Sequence, residues 1–200
     1  MVNNRVETRD LAFPVGFEGQ DGKKLVGWIA RYMVESHRMM DPLVVKDQPF
    51  VERIAAGAFV QSLLRYPDVP ALVNHNKQAV LGRTSSGTLT LSNDEVGLAF
   101  SLDIPETGLG RDSREMVRRG DVRGCSFGMI VLDDVIEARS GGPMLRTVTN
   151  ALLTEVSPLC YEPAYQESSV EIRERQTTWA GGVQYPGLAR ARRLLLLEEG

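Results

Sequence analysis

Residues 122–132, VRGCSFGMIVL, decide the fold. Read as a strand, successive side chains alternate between faces. One face then carries Arg123, Cys125, Phe127, Met129 and Val131, apolar enough to be core. The other carries Val122, Gly124, Ser126, Gly128 and Ile130. The same residues contain Gly124-Cys125-Ser126-Phe127-Gly128, which fits the Gly-x-Ser-x-Gly elbow of α/β hydrolases. That elbow requires a strand, a sharp turn and a helix within a parallel sheet. The flanks here read as one continuous strand, so the elbow match is accidental and the sheet is antiparallel.

Working outward, residues Gly97–Ile104 alternate, with Leu98, Phe100, Leu102 and Ile104 on one face. Leu25–Val34, Val69–His75, Ala79–Thr84, Thr88–Ser92, residues 144–149 and Ala151–Leu159 carry further strand signals. Ser85-Ser86-Gly87 reads as a hairpin turn, and residues 35–42 as a loop. Phe59, Leu63 and Tyr66 recur at helical spacing before Pro67, which predicts a short helix after Gly57. A second helix is expected over 112–119, with Asp112 capping its start and Gly120 just past its end. The sum is seven or eight short strands and two or three helices. It predicts an α+β domain built on a mostly antiparallel β-barrel or strongly curved sheet with flanking helices.

Residues 1–23 are polar without sustained periodicity and read as an N-terminal arm or loose edge segment. Residues 24–175 form the expected domain. Beyond them, 176–200 read as a linker followed by LARARRLLLLEE, either a docked helix or a detachable tail. No internal repeat is visible.

Composition narrows the function. At 200 residues the chain can bury a core without disulfides or metals. Its 42% apolar and 24% charged residues are ordinary for a globular domain. A net charge of −3 offers no basic footprint for nucleic acid. Two cysteines and two histidines fit no zinc spacing. No apolar run approaches the roughly 20 residues that span a bilayer, and no signal-peptide core is expected at the start.

Three stretches can do chemistry. Ser126 lies between two glycines on its own face, so another backbone can approach its hydroxyl, as an extended substrate would. The alternative is a spacer at a bulge or barrel corner. His75 ends an apolar strand in Val73-Asn74-His75-Asn76, where a general base can sit, although an exposed loop position is the commoner place for a lone histidine. His37 lies in a polar loop and fits the exposed reading better. Glu155 alternates with the apolar Ala151, Leu153 and Leu159, so it needs a partner: a histidine N–H, or an arginine such as Arg123 or Arg83. Cys125 shares its face with Phe127 and Met129 and is assigned to packing.

Taken together, these stretches resemble the prohead, or capsid-maturation, serine proteases of tailed phages. The resemblance spans about residues 24–173. It includes Glu52-Arg53-Ile54 with Gly57-Ala58-Phe59, Asn74-His75-Asn76, Leu81-Gly82-Arg83-Thr84 and Gly97-Leu98-Ala99-Phe100. It continues through Gly110-Arg111-Asp112, Arg119-Gly120-Asp121, Ser126-Phe127-Gly128, Glu155-Val156-Ser157 and Pro163-Ala164-Tyr165. It implies a fold similar to herpesvirus assemblin, with Ser126 as nucleophile, His75 as base and Glu155 as the orienting group in place of assemblin's second histidine. Asn76 departs from the acidic residue that relatives often carry there. Arg83 is a candidate to supply or orient an oxyanion donor.

The implied activity is an endopeptidase acting on phage scaffold and major capsid protein, and on itself, inside the immature capsid in the host cytoplasm. No cofactor, nucleic acid or membrane partner is expected, and self-association stays open. The rival reading is a catalytically silent scaffold or capsid assembly protein that keeps the protease fold. A small-molecule esterase is the weaker rival.

Overall fold

The computed structural model describes residues 5–11, 15–18, 22–122 and 124–160. The expected tail at 176–200, the Pro163-Ala164-Tyr165 segment and Arg123 lie outside the described residues. The fold is mostly β, with ten strands and two helices among the described residues.

Two strands organise it: β9 (Gly124–Glu137) and β10 (Met144–Cys160). They pair antiparallel along nearly their whole length, with the register slipping at several points. Each slip bends the strands and sharpens their twist, and the sheet curls into a half-barrel. Beyond β9 lies β1 (Glu7–Leu11). Beyond β10 lie β5 (Pro70–Val73) and β6 (Asn76–Arg83). The short strand β4 (Phe50–Ile54) also pairs with β10, at its opposite end from β5. Both β4 and β5 run parallel to β10, whereas the other pairings are antiparallel.

A second sheet, ordered β2 (Gly16–Glu18), β3 (Lys24–Arg31), β8 (Gly97–Asp103) and β7 (Leu89–Asn93), covers the first. Between them Cys125, Phe127 and Met129 of β9 meet Leu25 and Ile29 of β3 and Leu98, Phe100 and Leu102 of β8 in one buried cluster. Phe59 packs edge-to-face on Phe127, with ring centroids 5.7 Å apart. Full burial of each such side chain contributes about 1.5–3 kcal/mol. The inward face expected for residues 122–132 is therefore the core face.

Helix α1 (Val60–Arg65) follows Gly57, and its buried Ser62 accepts the Leu153 N–H of β10 at 2.8 Å. Helix α2 (Gly108–Arg119) starts earlier than expected. Thr107, not Asp112, caps it by accepting the Gly110 N–H, and Gly120 closes it at φ 76°. Gly110 cannot be larger, because a Cβ there would lie 1.9 Å from the Pro105 carbonyl oxygen.

Three expectations are refined or corrected. Of the two readings offered for residues 1–23, arm or loose edge segment, residues 7–11 take the second in a more ordered form, as a strand paired to the edge of β9. Residues 50–54, where no strand was expected, form β4, with the charged Glu52 buried within it. Ser85–Gly87 does not close a hairpin: β6 belongs to the curled sheet and β7 to the second, so this turn carries the chain between sheets.

Candidate active site

Ser126, His75 and Glu155 come from β9, the β5–β6 connection and β10, and the fold brings all three together. On the face of β9 away from the core, Ser126 and Gly128 stand two residues apart. Opposite them on β10 stand Ser157 and Glu155, paired Ser157 to Ser126 and Glu155 to Gly128.

Glu155 reaches that face through a register slip. Leu153 pairs with Met129 and Glu155 with the next residue of β9, Gly128, so Thr154 is an extra residue. Without the bulge, Glu155 would share the inward face of Ala151 and Leu153, as simple alternation predicted. With it, Leu153 and Val156 stay in the core and Glu155 turns outward beside Ser157. Gly128 makes room for it. A Cβ on Gly128 would lie 3.0 Å from Glu155 Oε1 and 2.6 Å from Thr154 Oγ1. The space over this glycine is thus filled by a carboxylate of the chain itself, not held open for a substrate backbone.

His75 is not at the end of a strand. Val73 pairs with Asn76, and Asn74 and His75 form the two-residue turn between β5 and β6, at φ 47° and 59°. Both central residues of the commonest two-residue hairpin turn need positive φ, which asparagine tolerates well and histidine less so. The His75 backbone N–H donates to Ser157 Oγ at 2.9 Å, and Ser157 Oγ–H donates to Glu155 Oε2 at 2.9 Å. One buried hydroxyl thereby fixes both the turn and the carboxylate. Ser157 is a positioning residue that composition did not single out.

Around the ring, His75 Nδ1 lies 2.5 Å from Glu155 Oε1, and His75 Nε2 lies 2.7 Å from Ser126 Oγ. A carboxylate on Nδ1 selects the tautomer with Nδ1–H, leaving the Nε2 lone pair to accept the serine proton. Ser126 is fully buried and Glu155 nearly so, while about a quarter of the His75 side chain is exposed. A second acceptor faces the nucleophile: the Arg9 carbonyl oxygen of β1, 2.9 Å from Ser126 Oγ.

On the opposite face of the β1–β9 pair lies a charge cluster that reading the chain in order missed. Arg9 donates to Glu52 Oε1 at 2.6 Å and Oε2 at 2.9 Å, and also to Glu7. Arg146 donates to Glu7 at 2.7 Å, Glu52 at 2.9 Å and Asp134 at 2.6 Å. Burial opposes the charge on Glu7, but the Arg146 hydrogen bond and the Arg9 and Arg146 charges outweigh it. They hold its carboxyl below the usual carboxylate range. Burial likewise opposes the charge on Arg146, and Glu7, Glu52 and Asp134 overcome it, raising its pKa further.

The remaining candidates lie elsewhere. Cys125 is buried in the core. His37 is exposed. Arg83 pairs with Asp68 at 2.8 Å on the surface, away from the Ser126 and Glu155 hydrogen bonds. Among the described residues no cluster of His, Cys, Asp and Glu can hold a metal, and no helix is long and apolar enough to cross a membrane.

No curated protein and no solved structure matches the chain. The family model described as caudovirus prohead serine protease matches residues 13–180, a span that holds Ser126, His75 and Glu155 and leaves β1 outside. The chain belongs to the caudovirus prohead serine protease family, the serine peptidases of phage capsid maturation.

Proposed function

We propose that the protein is an endopeptidase that cleaves scaffold and capsid protein, and itself, inside the immature shell, with Ser126 as nucleophile, His75 as base and Glu155 as the group that orients the base. The observation that carries this reading is the hydrogen-bonded series from Ser126 Oγ through both ring nitrogens of His75 to Glu155. Ser126 Oγ attacks a peptide carbonyl as His75 Nε2 takes its proton. The imidazolium, stabilised by Glu155, returns that proton to the leaving amine. Water then repeats the cycle on the acyl-enzyme.

The substrates follow from family membership together with confinement. A protease enclosed with its substrates works at a high local concentration, so modest intrinsic affinity suffices. The curled, mostly β sheet that carries the serine supports kinship with herpesvirus assemblin.

The test is chemical. Ser126→Ala should fold normally and lose cleavage of co-assembled capsid protein by at least about 10⁴-fold. A fluorophosphonate should label the unsubstituted chain at Ser126 in assembled particles. Labelling elsewhere, or cleavage undiminished by Ser126→Ala, refutes the reading and leaves the silent assembly protein in its place.

A further inference from the structure

We infer that β1 lies in the lane an extended substrate takes, and that the lane's register selects a basic residue before the cleaved bond and an acidic one two residues further back. This inference rests on the proposed role of Ser126.

The geometry begins at the sheet edge. β1 is the outermost strand, so without it β9, which carries Ser126, becomes an open edge with unpaired backbone groups. An extended peptide adds to such an edge as a strand, taking affinity from backbone hydrogen bonds and specificity from alternate side chains. β1 does this now, running antiparallel to β9 with Thr8 opposite Gly128, Arg9 opposite Phe127 and Asp10 opposite Ser126. In that register the Ser126 hydroxyl meets the carbonyl oxygen of the Arg9–Asp10 peptide at 2.9 Å. The contact is a hydrogen bond to oxygen, not an approach to carbon. It also draws on the single hydroxyl proton that His75 Nε2 needs. With β1 in place Ser126 is fully buried, so another peptide reaches it only when β1 leaves.

Side chains facing inward from this lane meet a charged floor. Arg9 ends on Glu52, a carboxylate with no exposure, and Glu7 ends on Arg146. A substrate in the same register would set its own side chains at these two places. A basic residue before the cleaved bond then pairs with Glu52, and an acidic residue two places earlier pairs with Arg146. The reverse order would bury like charges against each other, which is strongly unfavourable. Exchange is electrically simple. Glu7 and Arg9 leave as a neutral pair, while Glu52 and Arg146 stay paired at 2.9 Å. β1 also lies outside the segment matched by the family, as expected of an occupant of the lane rather than part of its wall.

The test uses the full chain. A quenched fluorescent peptide of sequence RVETRDLA, copied from residues 5–12, should be cut between its second arginine and the aspartate. The peptide RVRTEDLA, with the two charges exchanged, should show kcat/KM at least about tenfold lower. Equal rates overturn the charge selection. The second measurement is fluorophosphonate labelling of the E7Q/R9Q variant, whose β1 has lost the charges that fasten it. Labelling of Ser126 should accelerate at least about tenfold while hydrogen exchange over residues 7–11 also speeds up. Faster exchange with unchanged labelling shows that β1 does not block the site and overturns its place in the lane. If Ser126 labels and capsid protein is cut regardless of β1, only this inference fails. If Ser126 labels in no form of the protein, the assignment of the nucleophile fails with it.

Discussion

Two polar networks share the β1–β9–β10 region, one on each face, and they are built on opposite principles. On the face away from the core, Ser126, His75, Glu155 and Ser157 combine one carboxylate with neutral donors and acceptors, and His75 stays partly open to solvent. On the other face, Glu7, Arg9, Glu52 and Arg146 are nearly closed from water and set two full positive charges against two full negative ones. On the proposed mechanism, the first holds a proton that moves between a hydroxyl and an imidazole. The second holds charges that stay where they are. A buried network can therefore serve as a chemical relay or as a clamp, according to whether its members are neutral partners or permanent ions.

The sharpest way to break this contrast is to remove the charge from the relay while keeping its shape. Glu155→Gln retains the side-chain volume and can still accept a hydrogen bond. It no longer stabilises an imidazolium and can present an amide N–H to Nδ1, favouring the wrong tautomer. Proteolysis should fall by about 10³–10⁴-fold, on the scale seen when a triad acid becomes its amide, with the melting temperature little changed. Capsid cleavage rates beside a thermal melt decide this. A large fall in stability with modest loss of activity would make Glu155 a structural residue.

The same operation on the clamp should have the reverse signature. Arg146→Met leaves Glu7 and Glu52 facing each other with Arg9 alone between them. Breaking one partner out of a buried ion network costs about 3–5 kcal/mol, seen as a lower urea midpoint. Titrating active serines with a fluorophosphonate, at a temperature where the variant is still folded, should find the Ser126 relay intact. Loss of labelling without loss of stability would show that the two faces are coupled.

How far each network could be read in advance follows from where its partners lie along the chain. Ser126 and His75 are legible through the motif context around them, since the expected strand end at His75 is a turn and the space over Gly128 holds Glu155. Glu155 was legible as a residue but not as a direction. Its face depends on the extra residue Thr154, and a bulge leaves no mark in composition. The clamp was illegible. Glu7 and Arg9 sit in a polar segment that reads as solvated; Glu52 lies 43 residues from Arg9, and Arg146 lies 139 residues from Glu7. The pairing of β4 with β10 sets Arg146 opposite Glu52, and the pairing of β1 with β9 brings Glu7 and Arg9 to them. The same limit hid the sheet switch at Ser85–Gly87, where local turn chemistry was plain and the strand partners were not.

A smaller effect is expected where backbone space alone controls the relay. Gly128→Ala would place a methyl 3.0 Å from Glu155 Oε1 and 2.6 Å from Thr154 Oγ1. Thr154 Oγ1 has no hydrogen-bond partner and can rotate away, so the carboxylate must take up the rest of the displacement. A misplacement of about 1 Å costs about 10²-fold in rate, so this smaller displacement should cost on the order of tenfold, and kcat should fall more than KM rises. A variant with unchanged kcat would mean that the position of Glu155 is not critical.

The least effect, and the most specific to the clamp, is its response to acid. The Glu7 carboxyl has a lower pKa in the folded chain than its ordinary value of 4.5 because Arg146 and Arg9 stabilise its charge against the cost of burial. Protonation therefore favours the unfolded chain. The stabilisation is complete above the unfolded value and is lost as pH falls through the lower folded one. Two further carboxylates held by arginines, the half-buried Asp41 by Arg5 and the exposed Glu35 by Arg139, act in the same direction. The informative quantity is thus a difference in slope. Between pH 5 and pH 3 the urea midpoint of Glu7→Gln should decline less steeply than that of the unsubstituted chain, and exchange over residues 7–11 should be fast at both ends. Parallel slopes would mean that Glu7 does not carry the acid response.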